Sequence, residues 1–335
     1  MTSIIDRHCQ EKDLSLEFLS MTAIKTVRLE VPVLLIIFNR PHTTRQVFES
    51  IRKARPPRLY IAADGPRPEV ASDVANCMEA RKVVNTVDWE CEVKILFREK
   101  NLNCGIAPSS ALTWFFKHEE EGIILEDDCL PSQSFFRFCQ ELLERYRNDN
   151  RVMHIGGNNF LNGWQKDSDY SYYFSRSGHI WGWATWRRAW KHFDFDIGLY
   201  QKLKRKEFFS DFFLNWPEKV YRMRKLDRTV SGKEKVDWWD YQWDFARYIH
   251  SGLAIVPQEN LVTNIGFGES GTHTRNKNSR NCEMEIFDID FPLRHPPFMI
   301  RDMESDKRYF QNFINDLVLS KLKNMARVDR LNRCV

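Results

Sequence analysis

The run VPVLLIIF, residues 31–38, is apolar at every position and rich in β-branched side chains. A strand of this kind has no solvent face, so it belongs inside a sheet covered on both sides, as parallel sheets are. It stops at Asn39-Arg40-Pro41, after which Thr43 or Thr44 can cap a helix with Val47, Ile51 and Ala54 at helical spacing. The alternation then repeats. RLYIAADG is a second strand ending in Asp64-Gly65, residues 73–87 form a helix, and CEVKILFRE (91–99) is a third strand. A helix over 106–118 leads to the fourth strand, EGIILEDD. Strands alternating with helices predict an α/β fold around a mostly parallel central sheet flanked by helices.

Farther on, Pro131-Ser132 opens a long helix with Phe135, Phe138, Leu142 and Tyr146 on one stripe, and RVMHIGG is another strand. The character then shifts to aromatic loops, SYYFSRSGHIWGWATWRRAW. A basic helical stretch, the segment KVDWWDYQWDFARYIHSG and a strand LAIVP follow. NLVTNIGFGESGTHT is Gly/Thr-rich and is expected to be a mobile loop. The expected organisation is an extension over 1–28, one domain over 29–290 with an aromatic, loop-rich second half, and a helical tail over 291–335.

In parallel α/β sheets, ligands sit at the carboxyl ends of strands. Three strands end in reactive chemistry: Asn39-Arg40, Asp64-Gly65 and Glu126-Asp127-Asp128. Three adjacent carboxylates repel unless something positive lies among them, and a divalent ion that also clamps a diphosphate supplies that charge. The plainer alternative is helix capping by Asp128 or Ser132, which needs one acid rather than three. In VDWWDYQWDF, Asp237, Asp240 and Asp244 stand at i, i+3 and i+7 and would share one helix face. A carboxylate among tryptophans is desolvated, which raises its proton affinity and suits a general base; Asp240 is the candidate. In GHIWGWATW, Gly182 permits close approach of backbone to a ligand, and Trp181 and Trp183 can stack on a sugar or simply pack the core. His273 follows Gly266, Gly268 and Gly271 and could ride a loop that closes over substrate, as a metal or diphosphate contact.

Composition narrows the classes. Lys and Arg number 50 against 46 acids, a net charge of +4, too weak to announce a nucleic-acid partner. The basic excess is local: residues 202–235 carry eleven Lys/Arg against five acids. That stretch is either a solvated helix face or a contact for an anionic membrane or phosphorylated acceptor. The eight cysteines include no CxxC pair, and the N-terminal residues lack the apolar core of a secretory signal. Both point to reduced thiols and a cytoplasmic location.

The segments PVLLIIFNRPHTTRQVFESIRKARPPRLYIAADG, GIILEDDCLPSQSFFRFCQELLERY, GHIWGWATWRRAW and WWDYQWDFA with NLVTNIGFGESGTHT resemble the bacterial nucleotide-diphospho-sugar transferases of GT-A fold, some of which are labelled "hemolytic protein". Their order and spacing are similar to those of the inverting Golgi N-acetylglucosaminyltransferase I. The likeness covers roughly residues 30–275. It implies a Rossmann-like GT-A fold and an inverting, Mn²⁺- or Mg²⁺-dependent transferase that uses a UDP-sugar. It further implies that Arg40 and Asp64 grip the base, Glu126 meets the donor sugar, Asp127 the ribose or sugar, and Asp128 the metal, with His273 as a second metal position. Asp240 would be the base, and Trp181, Trp183, Trp239 and Asp237 would shape the sugar and acceptor sites. The expected acceptor is a glycan or a lipid-linked oligosaccharide, reached by peripheral contact with a membrane. The alternatives are a sugar-phosphate nucleotidyltransferase, which needs a glycine-rich loop where FNRPHT stands, and a non-catalytic sugar-binding module.

Overall fold

The computed structural model describes residues 28–166, 169–209, 212–231, 236–268 and 281–316. The expected extension before Arg28 and the end of the tail lie outside these residues, as does His273.

An eight-stranded sheet organises the molecule. Its strands in chain order are β1 (Val33–Ile37), β2 (Arg58–Ala63), β3 (Glu92–Phe97), β4 (Glu121–Glu126), β6 (Val152–Gly156), β7 (Tyr172–Ser175), β8 (Trp183–Trp186) and β9 (Leu253–Pro257). The spatial order is β3-β2-β1-β4-β8-β6-β9-β7. The β3-β2-β1-β4 half is wholly parallel, whereas β8 runs antiparallel to both β4 and β6, and β7 antiparallel to β9. The class is therefore mixed α/β with a mostly parallel sheet flanked by helices. A separate ribbon pairs β5 (Cys129–Pro131) with β10 (Val262–Asn264), Asn264 opposite Cys129.

The apolar run of β1 explains its place. Val33, Leu35 and Ile37 enter one core, with Phe48, Phe135 and Phe138, while Leu34 and Ile36 enter a second, with Leu112, Phe115 and Trp183. Alternate side chains point to opposite faces, so a strand apolar throughout feeds both layers. The helices α1 (Pro41–Ala54), α2 (Ala71–Val84), α3 (Asn103–His118) and α4 (Gln133–Arg145) cover the parallel half. α1 starts at Pro41, with Arg40 rather than a threonine as its N-cap. Proline fits the first helical position because its missing N–H would be unpaired there, and Thr44 instead donates its hydroxyl to the Arg40 carbonyl (2.7 Å).

Two expectations fail in the second half. The stretch expected as aromatic loops holds β7 and β8, and β8 sits at the centre of the sheet between β4 and β6. Its four residues, WATW, are all buried, too short and too uniform for any periodicity to show. The expected loop 260–274 begins instead with β10. Beyond β8 come α5 (Arg187–Trp190), α6 (Tyr200–Arg205), α7 (Trp216–Ser231) and α8 (Asp240–Ile249). The tail is irregular to residue 302 and helical over 303–316. It is tied to the sheet edge where the Asp302 N–H donates to the Phe174 carbonyl (2.7 Å) and Asp306 binds Ser175 and Arg301.

Candidate active site

The strand order reverses between β1 and β4, and their carboxyl ends open a crevice there. A cavity of about 140 Å³ occupies it. Phe38 and Arg40 arrive from β1, Asp64 from β2, and Glu126 and Asp127 from β4; Cys104 from α3 and Asp237 complete the wall. The Phe38 N–H donates to Asp127 Oδ2 (2.9 Å), which fixes that carboxylate across the crevice. Arg40 forms an ion pair with Asp128 and stands 3.5 Å from Asp127 Oδ1. Asp64 accepts the N–H groups of Gly65 (2.9 Å) and Leu102 (3.0 Å), so the β2 carboxylate clamps the turn into α3.

The acids are far from their ordinary state. Burial, then the Asp128 and Asp127 charges, push Glu126 up to about 8. Burial pushes Asp127 up to about 6, against the pull of Arg40. Burial alone would lower the Arg40 guanidinium, but Asp127 and Asp128 more than reverse this and lock it charged. Arg40 Nε is buried without a partner. Gly266 presses on the same pair: a Cβ there would come within 2.6 Å of Arg40 Nη1 and 2.7 Å of the Asp128 Cβ. Only a glycine lets the backbone pass so close.

With Glu126 held protonated by burial and its neighbours, the Arg40 guanidinium faces the Asp127 and Asp128 carboxylates, leaving a buried negative charge that a bound cation would offset. Among the described residues no group of three His, Cys, Asp or Glu side chains forms a metal cage. The donor set instead fits an ion held by one or two carboxylates that takes its remaining ligands from water and a diphosphate, as Mg²⁺ does.

A second cavity, of about 200 Å³, holds Asp240 and Asp244 from α8, Tyr221 and Arg222 from α7, Trp181 and His179 from the loop before β8, and Tyr309 from the tail. Asp240 is the first residue of α8, with Trp239 as N-cap. Burial, then the neighbouring Asp244 charge, push its carboxyl up to about 6. Asp244 itself is held by Arg222 (2.9 Å) and Arg247. Burial, with Arg222 and Arg247 adding to it, takes His179 down to about 3, so its ring is neutral. The two cavities flank the start of α8. Asp237 lines the first and Asp240, three residues on, lines the second, and the Asp240 charge is among those raising Glu126.

Several predicted site residues lie elsewhere. Asp237 precedes α8 rather than sharing its face, and accepts the Cys104 N–H in the first turn of α3 (2.9 Å). Trp183 and Trp239 are 0% and 2% exposed and stack on each other, centroids 5.8 Å apart, so neither offers a face to a sugar. Gly182 is needed for its own backbone: its φ is +68°, and a Cβ would strike Val262 at 2.8 Å. Asn39 donates to Asp73 (2.7 Å) and does not line the cavity. Trp181 stays partly exposed, edge-on to Phe160. Arg67, Asn101, Asn103 and Cys104 on the first cavity, and Arg222 and Tyr309 on the second, were missed. Arg67 follows Asp64 by three residues and was within reach of a strand-end reading, whereas Arg222 and Tyr309 come to Asp240 from separate elements that carry no local signal.

No family model and no curated protein matches this chain. Among solved structures it is similar to HddC from Yersinia pseudotuberculosis, at 8% identity over 47% of this chain and 77% of that one, with a TM-score of 0.29. It is also similar to the WbbM bifunctional glycosyltransferase (10% identity, 66% of this chain and 37% of that one, TM-score 0.33). Mouse xyloside xylosyltransferase 1 is a third (14% identity, 65% and 81%, TM-score 0.29). Likeness at this level says nothing of substrate, and the fold described above rests on the sheet itself.

Proposed function

We propose that the protein is an inverting glycosyltransferase of GT-A type. It would move a sugar from a nucleotide-diphospho-sugar, with UDP as the nucleotide, to a glycan acceptor. The observation that carries the reading is the pair of cavities flanking the start of α8: one at the strand ends with Arg40, Asp64 and Asp127, the other with Asp240 among aromatic rings.

The nucleotide occupies the first cavity, with Asp64 and Asp127 turned to base and ribose. Arg40 and Asp128 lie where the diphosphate leaves the crevice. Asp128 would hold Mn²⁺ or Mg²⁺; when bound, the ion neutralises charge on the departing diphosphate. The acceptor enters the second cavity along Trp181. Its hydroxyl oxygen attacks the anomeric carbon from the face opposite the diphosphate, the bond from that carbon to the phosphate oxygen breaks, and Asp240 takes the hydroxyl proton. A base with its carboxyl near 6 is ionised at neutral pH and still basic enough to accept a proton. Glu126, on the wall of the first cavity, would meet the donor sugar.

A nucleotidyltransferase is disfavoured because Asn39-Arg40-Pro41 runs directly into α1 with no glycine to cradle a triphosphate. Isothermal titration with UDP, other nucleoside diphosphates and UDP-sugars, with and without Mn²⁺, tests the proposal. UDP should bind, and more tightly with the ion. Absence of UDP binding in both conditions would defeat it.

A further inference from the structure

Among the described residues no helix is long and apolar enough to cross a membrane. The α6–α7 unit nevertheless carries large apolar side chains in the open. Leu199 is 52% exposed, Phe208 65% and Trp216 74%. Elsewhere this unit packs normally: Tyr200, Phe209 and Leu226 close on Phe245 in a small core of their own. The exposed three are therefore not leftovers of a poorly formed core.

Their neighbours are cationic. Lys202 and Arg205 stand at i and i+3 on α6 and share one side, Leu199 and Lys206 flank the helix as its caps, and Tyr200 turns inward. Lys202, Arg205, Lys206 and, on α7, Arg224 are exposed, and none forms an ion pair with another described residue. Lys204, by contrast, is neutralised by Asp227. Asp227 also accepts the Tyr200 hydroxyl (2.9 Å), which fixes α6 against that side of α7. Trp216 precedes Asp227 by three helical turns, so it projects on the same side, about 16 Å along the axis. Apolar and basic groups thus stand exposed together on the α6–α7 unit.

We propose that this surface docks on an anionic lipid bilayer. Lysines and arginines meet the headgroups, each strengthening attachment about fivefold, while Trp216 and Phe208 enter the interfacial layer that such rings favour. A soluble polyanion would satisfy the charges but offer no apolar phase to rings this exposed. The inference stands apart from glycosyl transfer, yet the two share α7: Tyr221 and Arg222 line the Asp240 cavity while Trp216 and Arg224 project outward. Docking there would bring that cavity to a lipid-linked acceptor.

Co-sedimentation of the full chain with vesicles of phosphatidylcholine, alone or mixed with phosphatidylglycerol, tests the proposal, with thermal melts confirming that each variant is folded. The protein should pellet only with the anionic vesicles and be released by high salt. K202E/R205E/K206E and F208A/W216A should each weaken binding by about tenfold or more. No pelleting with anionic vesicles, or equal pelleting with phosphatidylcholine alone, overturns the proposal. So does loss of binding in the charge variant with none in F208A/W216A, which would assign the surface to a soluble polyanion. Nucleotide titration is read separately, so failure of either reading leaves the other visible.

Discussion

The two halves of the sheet build their cavities by different means. In β3-β2-β1-β4, the strands run parallel to one another and Phe38, Arg40, Asp64, Glu126 and Asp127 stand at or just beyond the strand ends, so the backbone fixes their positions. In β8-β6-β9-β7 the strand directions are mixed. There the cavity is assembled from side chains of the loop before β8, α7, α8 and the tail. Geometry set by hydrogen-bonded strands resists change, whereas geometry set by packed side chains can be altered one residue at a time. The first half suits a constant ligand, such as a nucleotide, and the second a variable one, such as an acceptor.

That contrast can be broken by mutation. The largest effect is expected from Asp240→Asn, which should lower turnover by about 10²–10⁴-fold while leaving UDP affinity within about twofold. Loss of UDP binding instead would show that the cavities do not act separately. Wild-type turnover should rise with pH through about 6, as Asp240 loses its proton, and level off above; stopped assays across pH would reveal the limb. Next is Arg40→Met, which strands the buried Asp128 charge and should cost about 3–5 kcal/mol in denaturant melts. A smaller signal comes from Glu126. Its carboxyl lies at about 8 when folded against an ordinary 4.5, so the folded chain holds a proton that the unfolded chain has lost between those values. Stability should therefore fall as pH rises through the range in which the unfolded carboxyl is ionised and the folded one is not, and Glu126→Gln should flatten the slope. Smallest in stability is Trp181→Ala, below about 1 kcal/mol, with a rise in acceptor KM of about tenfold. If Trp181→Ala unfolded the protein as readily as Arg40→Met, the distinction between backbone-set and side-chain-set cavities would fail.

Legibility in the sequence follows the same division. β1 and β4 were plain because runs such as VLLII are long, β-branched and buried on both faces. The termini of β1, β2 and β4 then put Arg40, Asp64 and the acid triplet at one end of the sheet. β8 was read as loop because WATW is short and flanked by glycine, and only its neighbours β4 and β6 show that it is a strand. Trp183 and Trp239 looked like sugar platforms because a tryptophan's sequence context does not reveal which side of its ring is covered. Asp237 was placed on a helix that begins three residues later, since Trp239 caps α8 without any side-chain hydrogen bond to mark the boundary. Arg222 and Tyr309 carry no local mark of function at all; distant packing alone brings them beside Asp240.

The β5–β10 ribbon has a bearing on recombination between related chains. It joins residues 129–131, just after Asp128, to residues 262–264, just before Gly266, and the Ile265 N–H also donates to the Asp128 carbonyl (2.8 Å). A crossover anywhere between these segments would take the two strands from different parents. A hybrid of that sort inherits its acids from one lineage and the glycine that must clear them from another. Crossovers before residue 40 or after 266 keep Arg40, the acids and the glycine together, and shuffled libraries should be cut there.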